Sequence, residues 1–178
     1  ERGLKLFVDG ARLAYSLASP ANDVSLADVA RLSDVFYIGG TKCGTLFGEA
    51  VVIPDGGSIR QFVTQMKQHG ALLAKGRLLG VQFEALFEDD LYLTLGAPGV
   101  AATKRIREAL IRAGYVVTMD SPTNLTFVAL DQAGHERLSR KVQYGIWETL
   151  PDGRLLARFC TSWGTPEEDI KAFEAALA

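Results

Sequence analysis

The chain has 178 residues, 48% of them hydrophobic and 22% charged, ordinary proportions for a globular protein with one substantial core or two small ones, which excludes disorder. A formal net charge of −2 supplies no broad electropositive surface for nucleic acid or an anionic membrane. No apolar run reaches the roughly 18 to 20 residues that span a bilayer, so the expected partner is a small soluble molecule, with no nucleic acid and no membrane. The opening Glu-Arg-Gly-Leu-Lys lacks the apolar middle of a signal peptide. Cys43 and Cys160 lie far apart, without a Cys or His neighbour at metal-ligand spacing. A cytoplasmic protein with two free thiols and no metal site is therefore expected.

In chain order, the apolar run Leu4 to Val8 reads as a buried strand that leaves the sheet at Asp9-Gly10, where glycine permits a sharp exit. Ser25 with Asp28 three positions on forms a capping-box pattern ahead of a short helix through Leu26, Val29, Ala30 and Leu32. Asp34 to Ile38 and Glu49 to Ile53 are two further strand-like runs, closed by Gly39-Gly40 and Pro54-Asp55-Gly56-Gly57. Strand, helix, strand predicts a right-handed crossover and a parallel sheet. From Ser58 to about Leu95 the pattern is helical, and the broad apolar face from Leu72 to Phe87 exceeds what one sheet face needs. It predicts an oligomer, a homodimer or homotetramer.

Gly96-Ala97-Pro98-Gly99 interrupts both periodicities and places a domain boundary between 1–96 and 97–178. Beyond it, a helix from about Val100 ends at Gly114, and Tyr115 to Met119, Leu125 to Leu130 and Leu155 to Cys160 read as strands of an antiparallel sheet. His135 to Lys141 is helical, and Thr165-Pro166-Glu167-Glu168 opens the last helix. Trp147 and Trp163 are assigned to the core.

Ligands bind at strand ends in open parallel sheets, and two phrases carry chemistry there. Phe7 to Leu13, Phe-Val-Asp-Gly-Ala-Arg-Leu, sets the Asp9 carboxylate at one strand end and the Arg12 guanidinium three residues on. Ile38 to Gly44, Ile-Gly-Gly-Thr-Lys-Cys-Gly, sets the Lys42 amine just past the next strand. The Gly-x4-Gly-Lys-[Ser/Thr] spacing of a nucleotide loop is absent. Arg158, inside the apolar run Leu-Ala-Arg-Phe-Cys, requires a partner. His69 and His135 are assigned exposed or capping roles.

Asp-Gly-Ala-Arg followed by a strand and Thr-Lys resembles the threonine aldolase and β-eliminating lyase family of pyridoxal-phosphate enzymes, in which Asp-Gly-Ala-Arg and Ser-Lys-Gly occupy these places. The resemblance covers all 178 residues and corresponds to the C-terminal half of such an enzyme. It implies an α/β fold: the C-terminal part of an aspartate-aminotransferase-type large domain over 1–96, followed by a small α+β domain over 97–178. A missing or separate N-terminal segment would then hold the Gly-rich phosphate cradle and the ring-stacking side chain. The cofactor is an electron sink that needs a covalent lysine, a carboxylate facing the pyridine nitrogen and groups that orient the ring. Lys42, Asp9 and Arg12 match these needs, Thr41 keeps the hydroxyl of the family's serine for the phosphate, and Arg158 takes the place of the arginine that grips a substrate carboxylate. Cys43-Gly44-Thr45-Leu46-Phe47-Gly48 departs from the family's Gly-Leu-Gly-Ala-Pro-Val-Gly, which bears on substrate preference more than on the cofactor. The implied reaction is cleavage of Cα–Cβ in a β-hydroxy amino acid, threonine to glycine and acetaldehyde. The alternatives are a tryptophanase-like β-elimination, or a non-catalytic remnant or dimerisation module.

Overall fold

The computed structural model describes residues 3–178. Its first sheet has the order β1 (Phe7–Val8), β2 (Val35–Gly39), β3 (Glu49–Val52). β1 and β2 pair in parallel, with Phe7 opposite Val35 and Val8 opposite Phe36, and β3 runs antiparallel to β2. The sheet is therefore mixed. Between β1 and β2 lie α1 (Leu13–Leu17) and α2 (Leu26–Leu32), and the capping box at Ser25 and Asp28 is formed with both reciprocal hydrogen bonds. α3 (Phe62–Gln68) and α4 (Arg77–Phe87) follow β3.

The first strand departs from expectation. It is two residues long rather than five, and Leu4, Leu6 and Phe7 are exposed instead of buried. Among the described residues β1 is an edge strand with β2 as its one neighbour, so its apolar side chains have only one side to pack against. Asp34 sets its entry by accepting from the Leu6 amide at 2.8 Å, while the Asp34 amide donates back to the Leu6 carbonyl at 2.9 Å.

The expected interruption at Gly96 to Gly99 does not occur: a single helix, α5 (Leu91–Arg112), runs through it with Pro98 inside. The glycines are packing devices. A Cβ on Gly96 would lie 2.2 Å from the Ala14 carbonyl oxygen, and one on Gly99 would lie 2.7 Å from the Tyr15 ring. α1 thus rests almost on the α5 backbone. Pro98 and Thr94 are both exposed, where water can serve the carbonyl that proline leaves without its helical donor.

α5 ends in a Gly114 turn (φ +84°), with the Tyr115 amide reaching back to the Leu110 carbonyl. The second sheet is fully antiparallel, in the order β4 (Val116–Val117), β5 (Leu125–Leu130), β7 (Leu155–Cys160), β6 (Gly145–Thr149). α6 (Gln132–Ser139) and α7 (Glu167–Leu177) complete this part. β6 had no strand signature because all five residues are exposed and a register shift falls between Ile146 and Glu148, so no clean alternation of period two appears in the sequence. Trp147 and Trp163 are exposed rather than in the core. Trp147 stands on the edge strand β6 and Trp163 in the loop before α7, where neither can be covered on both ring faces.

Two cores result. One gathers α1, β2 and α4 around Phe36, Phe83 and Tyr92; the other gathers α5, β5, β7 and α7 around Leu110, Val128 and Phe159. α5 supplies side chains to both lobes, because Val100 packs against the first and Ile106 belongs to the second. No helix among the described residues is long and apolar enough to cross a membrane.

Two glycine substitutions separate packing from propensity. Gly96→Ala should lower the unfolding free energy by about 1–3 kcal/mol through overpacking against α1. Gly80→Ala, in α4 with open space around it, should raise it by about 0.5–1 kcal/mol. Chemical denaturation midpoints at unchanged slope measure both.

Candidate active site

The site begins where β1 and β2 end. Gly39 donates its amide to the Gly10 carbonyl at 2.9 Å, and this contact leaves no room for side chains. A Cβ on Gly10 would stand 1.7 Å from the Tyr37 carbonyl oxygen, and one on Gly39 would stand 2.4 Å from that of Ala11. The two exit loops are thereby held against each other, and they carry Asp9 and Lys42.

Asp9 is exposed and well anchored. Its Oδ1 accepts from the Ala11 amide at 3.0 Å and from the Tyr37 phenol in a short bond. The Tyr37 hydrogen bond is the main reason that the carboxyl lies below its usual range, the Ala11 amide is second, and the positive charges of Lys42 and Arg12 add to both. The carboxylate in turn pushes the Tyr37 phenol up to about 12.

The backbone of Lys42 is fixed while its side chain is exposed. Its carbonyl accepts from the Tyr15 phenol at 2.6 Å, and the Cys43 amide closes a turn onto the Gly40 carbonyl at 2.8 Å. Cys43 itself is fully buried, anchoring the loop in the first core. Tyr92, also fully buried, donates to the Gly39 carbonyl and accepts from the Ala14 amide, each at 3.1 Å. Burial pushes the Tyr15 phenol up to about 12 and the Tyr92 phenol higher still, so both remain donors.

Arg12 occupies the N-cap position of α1, and its Nε is buried without a hydrogen-bond partner among the described residues. Thr41 does not present a free donor: its hydroxyl bonds Glu49 Oε1 at 3.0 Å, while Glu49 Oε2 accepts from the Gly40 amide at 2.6 Å. Arg158 lies on β7 in the second sheet, and no hydrogen bond or ion pair among the described residues joins it to Asp9 or Lys42. The partner it requires is an indole rather than a carboxylate, since its guanidinium sits 4.7 Å from the Trp147 ring centre. An open cleft of about 480 Å³ beside it is lined by Tyr144, Cys160, Thr161 and Asp169, and by neither Asp9 nor Lys42. His69 caps the end of α3 at the surface, and His135 bonds the Tyr144 hydroxyl at 2.8 Å.

Asp9, Arg12 and Lys42 are thus brought into one electrostatic neighbourhood, whereas Arg158 belongs to the other lobe. Tyr37, Glu49, Tyr15 and Tyr92 were not singled out by sequence reasoning. Tyr37 could have been found once the strand register was known, because the same offset carried one residue beyond Val8 and Phe36 sets Tyr37 beside Asp9.

The fold is similar to that of pyridoxal-phosphate-dependent enzymes of fold type I. The structure aligns with Sphingomonas wittichii serine palmitoyltransferase at a TM-score of 0.62 and 16% identity, covering 98% of this chain and 47% of that one, which is a likeness of fold. Threonine aldolases are similar to this chain over nearly its whole length. The Leishmania major threonine aldolase structure matches at a TM-score of 0.90 and 42% identity, over 98% of this chain and 51% of that one. The low specificity L-threonine aldolase of Pseudomonas aeruginosa is 29% identical over 176 residues, 96% of this chain and 49% of the relative. No family model matches. The chain spans about half the length of the relatives it matches.

Removing the Glu49 carboxylate should free the turn that presents Lys42. In Glu49→Ala the Gly40 amide should exchange its hydrogen roughly two- to tenfold faster, as expected for loss of one hydrogen bond, while amides of β5 and β7 keep their protection. Amide exchange resolved by residue checks this.

Proposed function

We propose that this chain carries the lysine-bearing part of a pyridoxal-phosphate-dependent lyase that cleaves Cα–Cβ of a β-hydroxy amino acid, as threonine aldolases do. The observation behind it is the meeting of Asp9 and Lys42 at adjacent strand ends, in a fold that matches a threonine aldolase at a TM-score of 0.90. The residues present suit the cofactor. Arg12 Nε is a buried donor without an acceptor among the described residues, and Asp9 holds an ionised carboxylate among Tyr37, Lys42 and Arg12.

Pyridoxal phosphate, when bound, supplies the electron sink for bond cleavage at the substrate's α-carbon. Asp9 would accept the hydrogen bond of the protonated ring nitrogen and keep that proton in place. Lys42 would hold the cofactor covalently through Nζ and carry protons between its amine and the substrate. Arg12 would orient the ring through the donor that α1 keeps buried. Thr41 would exchange one anionic acceptor for another, its hydroxyl turning from Glu49 to a phosphate oxygen. Arg158 would grip the substrate α-carboxylate, with its guanidinium plane preset by Trp147.

The division into a large domain over 1–96 and a small domain over 97–178 is part of this reading, with the boundary inside α5 rather than at a linker. So is assembly as a homodimer or homotetramer, supported by the open side chains of Leu72, Leu73, Leu78 and Val81. A cytoplasmic setting accords with the two unpaired thiols.

Lys42→Ala in the complete protein tests the central claim. The side chain is exposed, so its removal should change stability by no more than about 0.5 kcal/mol. Glycine release from threonine should fall by several orders of magnitude, because covalent attachment and proton transfer both use this amine. Cofactor that still resists removal by dialysis and keeps its covalent absorbance would mean that another lysine carries it.

A further inference from the structure

Asp9 uses its two oxygens unequally. Oδ1 takes both donors, the Ala11 amide and the Tyr37 phenol, while Oδ2 has no hydrogen-bond partner among the described residues. One donor comes from the residues after β1 and the other from the neighbouring strand, so the carboxylate is gripped from two elements and cannot turn without breaking one bond. The Tyr37 ring is itself braced by Phe7 from β1, with centroids 6.0 Å apart. We infer that Tyr37 is the positioning residue for Asp9: by occupying Oδ1 it presents Oδ2 as the oxygen left to accept a protonated heteroaromatic nitrogen. This rests on the reading of Asp9 as the ring-nitrogen partner.

The surroundings favour one protonation state. Asp9 faces Tyr37 from β2, Lys42 from the loop after it and Arg12 from the start of α1, all of which favour the carboxylate. Tyr37 faces Asp9, with Glu49 of β3 adding negative potential, so its phenol stays protonated across the physiological range and remains a donor. A tyrosine serves better here than a serine or lysine. Its rigid ring reaches across the strand gap, and its neutral O–H orients the carboxylate without cancelling the charge that the ring nitrogen needs.

The sign of the effect follows. Asp9 lies below the usual carboxylate range mainly because of the Tyr37 bond, so deleting the hydroxyl moves it upward. A protonated Asp9 cannot hold a protonated nitrogen. In Tyr37→Phe, cofactor affinity should therefore begin to fall at a higher pH as the solution is acidified. At neutral pH it should be weaker by about tenfold, the order expected for loss of one charge-assisted hydrogen bond.

The experiment is titration of the cofactor-free complete protein with pyridoxal phosphate, followed by absorbance between about pH 3 and 7, a window that brackets the ordinary carboxylate range. Wild type, Tyr37→Phe and Asp9→Asn are compared, with far-ultraviolet circular dichroism on each. Weakened binding in both variants, with the acid limb displaced upward in Tyr37→Phe alone and native dichroism throughout, is the result expected. If Asp9→Asn weakens binding but Tyr37→Phe reproduces the wild-type affinity and acid limb, the positioning role is overturned and the reading of Asp9 stands. Undiminished affinity in Asp9→Asn would remove the reading of Asp9 and the inference with it. Loss of native dichroism in Tyr37→Phe would overturn the inference by making the hydroxyl structural.

Discussion

The site depends on a backbone contact between two glycines. Gly10 and Gly39 meet with an amide-to-carbonyl bond of 2.9 Å, and a methyl group on either would fall inside the other strand's peptide. Because the contact lies one residue after Asp9 and three before Lys42, it fixes the separation of the loops that carry acid and amine. Parallel pairing makes this possible: strand ends on the same side of a sheet release their loops toward the same space. An antiparallel β1 would have sent Asp9 to the opposite end.

The second constraint is how the Lys42 loop is fastened. Three buried groups reach it from the core: Tyr15 on the Lys42 carbonyl, Tyr92 on the Gly39 carbonyl, and Cys43 within the hydrophobic cluster. Phenols whose ionisation is suppressed by burial donate to the Lys42 and Gly39 carbonyls, so two backbone acceptors of the loop are satisfied by the protein itself. A fixed backbone and a free side chain give the Lys42 amine directed reach at low entropic cost. Tyr15 also accepts from the Trp163 amide at 3.4 Å, which ties the loop to the segment between β7 and α7. α5 reinforces that tie, since its glycine face receives α1 and its Thr103 meets Thr161 at 2.6 Å. The two lobes share these connections.

Much of the apolar surface around the first sheet is uncovered. Leu46, Phe47, Val51, Leu78 and Val81 lie open on β3, its preceding loop and α4, while Phe7 of β1 and Leu6, the residue before the strand, are exposed as well.

What the sequence determined by itself is local. The capping box at Ser25, the strands Leu125 to Leu130 and Leu155 to Cys160 and the glycine end of α5 follow from short-range sterics and hydrogen bonding, and the structure has them in place. That Asp9 and Lys42 stand in loops leaving adjacent strand ends was legible for the same reason, because strand-end motifs are local. Tertiary structure alone decided what depends on partners distant in sequence. Gly96 to Gly99 looked like a linker because the residues that require their smallness, Ala14 and Tyr15, stand more than 80 positions away. Trp147 and Trp163 looked like core because composition cannot tell an edge strand or a loop from a centre. Tyr37 came to Asp9, and the Thr41 hydroxyl to Glu49, through strand pairing, and register is a property of two strands together rather than of either sequence.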